Sequence, residues 1–189
     1  MKTQILLLAC YSLLALAGCI KDENHQPQKQ AILIPNGDFE TWTNLRELAI
    51  WTTNSCYACA NPLESYLVQI DSLPNSGLYD ARFITSQVSP GMADNKFALS
   101  AHPATLNAFV RCNMPVADTV RIKITLYLNL AAVDSGEWLG IASTPGFNFT
   151  QISIPISQNA IFSDSALVHI EAGSLPFSTA FCVDDITLQ

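Results

Sequence analysis

Charge is scarce in this chain. Only 13% of its 189 residues are Asp, Glu, Lys or Arg, about half of the ~25% usual for globular proteins. The nine basic residues form no cluster and are outnumbered by 16 acidic ones, for a net charge of −7. Without a basic stripe there is no electrostatic footprint for a phosphate backbone, so nucleic acid is excluded as a partner. Long apolar runs of about 20 residues, the length of a membrane-spanning helix, are also missing, as is any sustained helical period. GxSxG, HExxH, P-loop and glycine-rich nucleotide motifs are absent, which removes the common hydrolase, metalloprotease and nucleotide-binding signatures. Low hydrophobicity is not among the deficits. At 49% apolar residues the chain is no disordered polymer, and its length fits one domain.

What is present begins at the N-terminus. Met1-Lys2-Thr3 precedes the apolar run Ile5–Leu16, the pattern of a signal peptide. The run ends in Leu16-Ala17-Gly18-Cys19, which resembles the bacterial lipobox. That resemblance implies cleavage after residue 18 and acylation of Cys19, and more than one acyl chain anchors a protein stably to a membrane. Lys21-Asp22-Glu23 follows and resembles the surface-export signal of lipoproteins in Gram-negative groups rich in glycan-capture systems. The expected localisation is therefore the outer membrane, facing outward, with a periplasm-facing orientation as the alternative. Residues 19–30 are polar and aperiodic, a composition that reads as a tether.

From residue 31 to 189 the apolar period is two. Val120–Leu130 alternates apolar and polar side chains over its whole length, and Thr150–Ile156 does the same, the mark of half-buried strands. Further strands are expected at Tyr66–Ile70, Arg82–Gln87, Phe97–Ser100, Ala108–Arg111, Trp138–Ala142, Leu167–Glu171 and Phe181–Leu188. Breakers divide them, among them Pro74-Asn75-Ser76-Gly77 and Asp134-Ser135-Gly136, while Asn44–Ile50 reads as one or two helical turns. Eight to ten short strands predict an all-β sandwich or jelly roll. The two ends of this domain carry a second resemblance. An opening Asn36-Gly37-Asp38-Phe39-Glu40, followed by Trp42 and Trp51, and a closing Val183-Asp184-Asp185-Ile186-Thr187-Leu188 resemble the galactose-binding-like jelly rolls that include many carbohydrate-binding modules.

That resemblance implies one structural Ca²⁺, with Glu40 and Asp184 as side-chain ligands and Asp38 adding an oxygen, since calcium takes six to eight oxygens. Strand parity groups Asp184 with Ile186 and Leu188 and so directs it inward. Glycan binding calls for an aromatic platform beside amides and charges. Trp138, placed just after the expected 134–136 turn, is the first candidate, with Trp42, Tyr57 and Tyr66 behind it. His102 and His169 read as structural. In an exported protein the four cysteines past Cys19 read as disulfides, and three pairings of Cys56, Cys59, Cys112 and Cys182 are open. Links from the 56–59 loop to the strands bearing Cys112 and Cys182 are the expectation. Together these readings describe a non-catalytic, lipid-anchored domain that binds a polysaccharide or oligosaccharide, with outer-membrane proteins as partners. An adhesion module that binds protein and a glycan-active enzyme are the rivals.

Overall fold

The computed structural model describes residues 31–43, 47–56, 67–87, 89–113, 118–141, 148–160, 162–175 and 180–189. The signal segment, Cys19, the 19–30 segment, Tyr57, Cys59 and Tyr66 lie outside the described residues. Ala31–Gln189 is one compact unit, and among its described residues there are thirteen strands and no helix. The first four are two-residue pieces: β1 (Ile32–Leu33), β2 (Trp42–Thr43), β3 (Glu47–Leu48) and β4 (Thr52–Thr53). Next come β5 (Val68–Asp71), β6 (Asp80–Ile84), β7 (Met92–Ala98), β8 (Thr105–Asn113) and β9 (Thr119–Leu128). The last four are β10 (Ala131–Ile141), β11 (Thr150–Pro155), β12 (Ser165–Glu171) and β13 (Ala180–Leu188).

These strands form two antiparallel sheets, one in the order β11-β8-β13-β6-β5 with β1 added to β13, the other β10-β9-β12-β7-β4. Strands adjacent in a sheet are mostly distant in sequence, as in a jelly-roll sandwich. The two-residue period is what makes the sandwich. In β9, Val120, Ile122, Ile124 and Leu126 are fully buried while Arg121 and Lys123 are exposed. The inward residues of the other sheet, Phe83, Leu106, Ile154, Phe181 and Leu188, are equally buried and share one core with them. Each such side chain contributes about 1.5–3 kcal/mol on leaving water.

Three local expectations change in the folded chain. The segment Glu47–Leu48 is extended and pairs with Trp42–Thr43 where a helical turn was expected. Asp134-Ser135-Gly136 is not a turn but lies inside β10. The reversal occurs earlier, at the two-residue hairpin loop Asn129-Leu130, whose φ angles are 51° and 70°, as a primed turn requires. Gly136 is there for packing: a Cβ on it would meet the Pro155 carbonyl oxygen at 2.6 Å.

The third change is in β13. Its pairing with β8 slips between Asp184 and Thr187, and Asp185 has φ 49°. A bulge of this kind inserts an extra residue and reverses the parity beyond it. Phe181 and Val183 before it and Ile186 and Leu188 after it all join the core. Cys182 and Asp184 therefore sit on the outer face, and the inward placement of Asp184 expected from parity does not hold.

The sandwich leaves Cys112 and Cys182 apart. Both thiols are free and buried; Cys112 belongs to the core, whereas Cys182 is cross-strand from Arg111 on the opposite face. Because both are free, the cross-links expected from the 56–59 loop to them are absent, and on opposite faces of adjacent strands they do not pair with each other either. Cys56 is disulfide-bonded, with its partner outside the described residues. Burial pushes both free thiols up to about 12, which leaves them protonated and inert.

Candidate functional site

The outer faces of the two sheets differ. On the first sheet, Arg111 of β8 is held by Asp71 at 3.2 Å, Asp80 at 3.5 Å and the Cys182 sulfur at 3.4 Å, and its guanidinium stands 5.0 Å over the Phe149 ring. Asp71, Asp80 and Cys182 lie close enough to one another to suit a metal ion. The positive charge such a trio calls for is already supplied by Arg111. Burial, reinforced by Asp71 and opposed by Arg111, pushes the Asp80 carboxyl up to about 6. Around this cluster the face is covered: Asp80 and Asp184 are fully buried on it.

The outer face of the second sheet is open. Its cross-strand registers build three rungs. Arg121 stands between Leu139 and Glu171, and Lys123 between Glu137 and His169, with Asp94 beyond His169. Tyr127 stands between Ala132 and Ser165. Arg121 contacts Glu137 at 3.0 Å and Glu171 at 3.5 Å. His169 Nδ1 is 2.7 Å from Asp94 and Nε2 is 3.6 Å from Glu171. Lys96 lies 5.7 Å over the Tyr127 ring. The result is a sheet surface of charges and hydroxyls with one half-exposed aromatic ring, suited to hydrogen-bonding many hydroxyls at once. His169 is part of this network rather than a packed core residue.

The aromatic platform expected from the tryptophans is not formed. Trp138 is cross-strand from the buried Ile122 and stacks on Phe181 with centroids 6.1 Å apart. Its orientation follows from the misplaced turn: with residues 134–136 inside the strand, parity turns Trp138 inward and Glu137 and Leu139 outward. Trp42 packs against the core and its indole N–H donates to the Phe39 carbonyl at 2.6 Å. Tyr127, not among the aromatic candidates read from the sequence, takes the outward position instead: it shares parity with Arg121, Lys123 and Thr125.

Of the three expected cation ligands, two meet the same loop. Glu40 Oε1 accepts from the N–H groups of Leu78 and Tyr79 at 2.7 and 3.1 Å. Asp184 Oδ2 accepts from Asn75 and Ser76 at 2.9 and 3.1 Å. Asp38 is exposed and lines a separate cavity of ≈ 410 Å³ between β1 and β13, beside Asp185. The donor set fits a cation in part. Burial, against the Ser76 N–H and reinforced by Asp185, pushes the Asp184 carboxyl up to about 7, and among the described residues no cationic side chain is bonded to it.

No protein-family model and no curated protein matches the sequence. Solved structures do match the fold. The carbohydrate-binding module TmCBM61, solved with β-1,4-galactotriose, aligns over 85% of this chain and 98% of its own at 14% identity, with a TM-score of 0.59. The arabinose-bound α-L-arabinofuranosidase MgGH51 aligns over 84% of this chain but 26% of its own, at 17% identity and a TM-score of 0.54. The K2 cleaved adhesin domain of Lys-gingipain aligns over 80% and 96% respectively, at 12% identity and a TM-score of 0.53. The chain thus has the β-sandwich jelly-roll fold shared by carbohydrate-binding modules, and the same fold is found in an enzyme and an adhesin.

Proposed function

We propose that the protein is a non-catalytic glycan-binding lipoprotein, held in the outer membrane through Cys19 and facing the cell exterior. The observation that carries this reading is the open face of the second sheet, where Tyr127 shares the outer side of β9 with Arg121 and Lys123, beyond the Lys123–His169–Asp94 row, on a fold shared with carbohydrate-binding modules. A sugar presents an apolar C–H face that stacks on an aromatic ring and hydroxyls that seek charged and amide partners. Tethered capture at the surface would raise the local glycan concentration for outer-membrane partner proteins. We also propose that one Ca²⁺ binds at Glu40 and Asp184 and braces the 72–79 loop. The fold match to an adhesin domain supports the second reading, a protein-binding envelope module. A glycan array of the full chain, repeated with Tyr127→Ala, separates them. Selective glycan hits weakened at least tenfold in the variant support capture, whereas silence on the whole array favours the adhesion module.

A further inference from the structure

Lys123 is a charge of the open face that no acid among the described residues pairs. Its cross-strand neighbours are engaged elsewhere: Glu137 holds Arg121 at 3.0 Å, and His169 holds Asp94 at 2.7 Å. Among the described residues, Lys123 itself makes no ion pair. It lines a cavity of ≈ 290 Å³ together with Thr125, Ser135, Ser157 and Asn159, near the lower end of the ~300–1,000 Å³ usual for ligand pockets. The irregularity between Ala132 and Asp134 shapes one wall. The 157–159 segment forms the rim, because the Ser157 N–H donates to the Ser135 carbonyl at 3.1 Å.

One acid lines the same cavity, and it is turned away from any ligand. Asp134 is buried, with Oδ1 accepting from the Ser157 hydroxyl at 3.0 Å and from the Asn159 N–H at 2.9 Å. Its Oδ2 accepts from the Ala160 N–H at 3.0 Å and stands 3.2 Å from His102 Nε2. Its charge is met from within the fold and serves to hold the rim in place. What faces the cavity is then one ammonium, the hydroxyls of Thr125 and Ser135, and an amide. That set complements a sugar ring bearing one negative charge: the ammonium meets the anion as a point charge, and the hydroxyls and amide meet the ring oxygens.

We propose that this pocket is a subsite for a uronic acid residue, with the sugar carboxylate on Lys123. The proposal rests on the glycan-binding reading above and narrows it from glycans in general to carboxylated ones. A neutral sugar would leave the Lys123 charge uncompensated, so the site selects by charge.

The test measures binding of the full chain to uronate oligosaccharides (galacturonate, glucuronate and alginate oligomers) and to the same oligomers after carboxyl reduction. Lys123→Gln, an exposed substitution, is measured alongside, with its melting temperature as the check on folding. The expected result is at least tenfold tighter binding of one uronate than of its reduced form, a preference that Lys123→Gln removes. The preference should also weaken between 50 and 500 mM salt. Equal affinity for uronate and reduced oligomer, or a preference that survives Lys123→Gln, overturns the subsite but leaves glycan binding standing. Silence toward uronate, reduced and neutral panels alike overturns both.

Discussion

Asp80 is where this domain stores unfavourable electrostatics. Its side chain is fully buried and its Oδ1 accepts no hydrogen bond, so relief for its negative charge comes chiefly from Arg111 at 3.5 Å, with smaller help from the Cys182 thiol and its own backbone N–H. Burial and the neighbouring Asp71 outweigh that contact and push the carboxyl from 3.8 up to about 6. A raised carboxyl binds its proton more tightly in the folded than in the unfolded chain. Its contribution to stability is therefore fully present below pH ~4, falls as pH rises toward 6, and is flat above. A shift of this size is worth at most about 3 kcal/mol. Asp80→Asn keeps the side chain's shape and removes the titration. Melting temperatures followed from pH 4 to 8 should decline less in the variant than in the wild-type protein over the lower half of that range. Parallel profiles would show that Asp80 is ionised throughout and that Arg111 satisfies it.

At the scale of single elements, the strands were written plainly and their irregularities were not. The alternation in β9 and β12 is a local property, readable from side-chain period alone, and it places Tyr127 and Lys123 on the outer face as well as Ile122 and Ile124 in the core. The bulge that turns Asp184 outward depends on how β13 registers against β8. Gly136 sits mid-strand because Pro155 of another strand approaches it. Both are contacts between segments far apart in sequence, and no window of neighbouring residues reports them. Misreading Gly136 as a turn is also what exposed Trp138 on paper. The 72–79 loop shows the same dependence. Gly77 has φ 67°, and a Cβ there would fall 2.0 Å from Glu40 Oε1, so the loop is shaped around the carboxylate that grips it. If Ca²⁺ joins Glu40 and Asp184 there, adding it at a hundredfold its Kd should stabilise the fold by about 2.7 kcal/mol, or roughly 5–10 °C in a domain of this size. Asp184→Asn should erase that gain. A melting temperature indifferent to calcium and to chelator would leave the loop held by its hydrogen bonds alone.

For the whole molecule, the proposed anchor and the proposed recognition face fall in separate stretches of chain, and this makes them separable by mutation. Cys19, the proposed lipid attachment, lies twelve residues before the compact unit that begins at Ala31. Among the described residues, the core runs from Ile34 to Leu188. Cys19→Ala should therefore move the protein from the membrane fraction to the soluble one while leaving its melting temperature and its glycan affinity in solution unchanged. Avidity for polymeric glycan displayed at high density should fall by a factor on the order of 100 or more, because linked binding sites gain effective concentration and free ones do not. Protein that stays in the membrane fraction after Cys19→Ala would instead place the attachment in the signal segment or the domain itself.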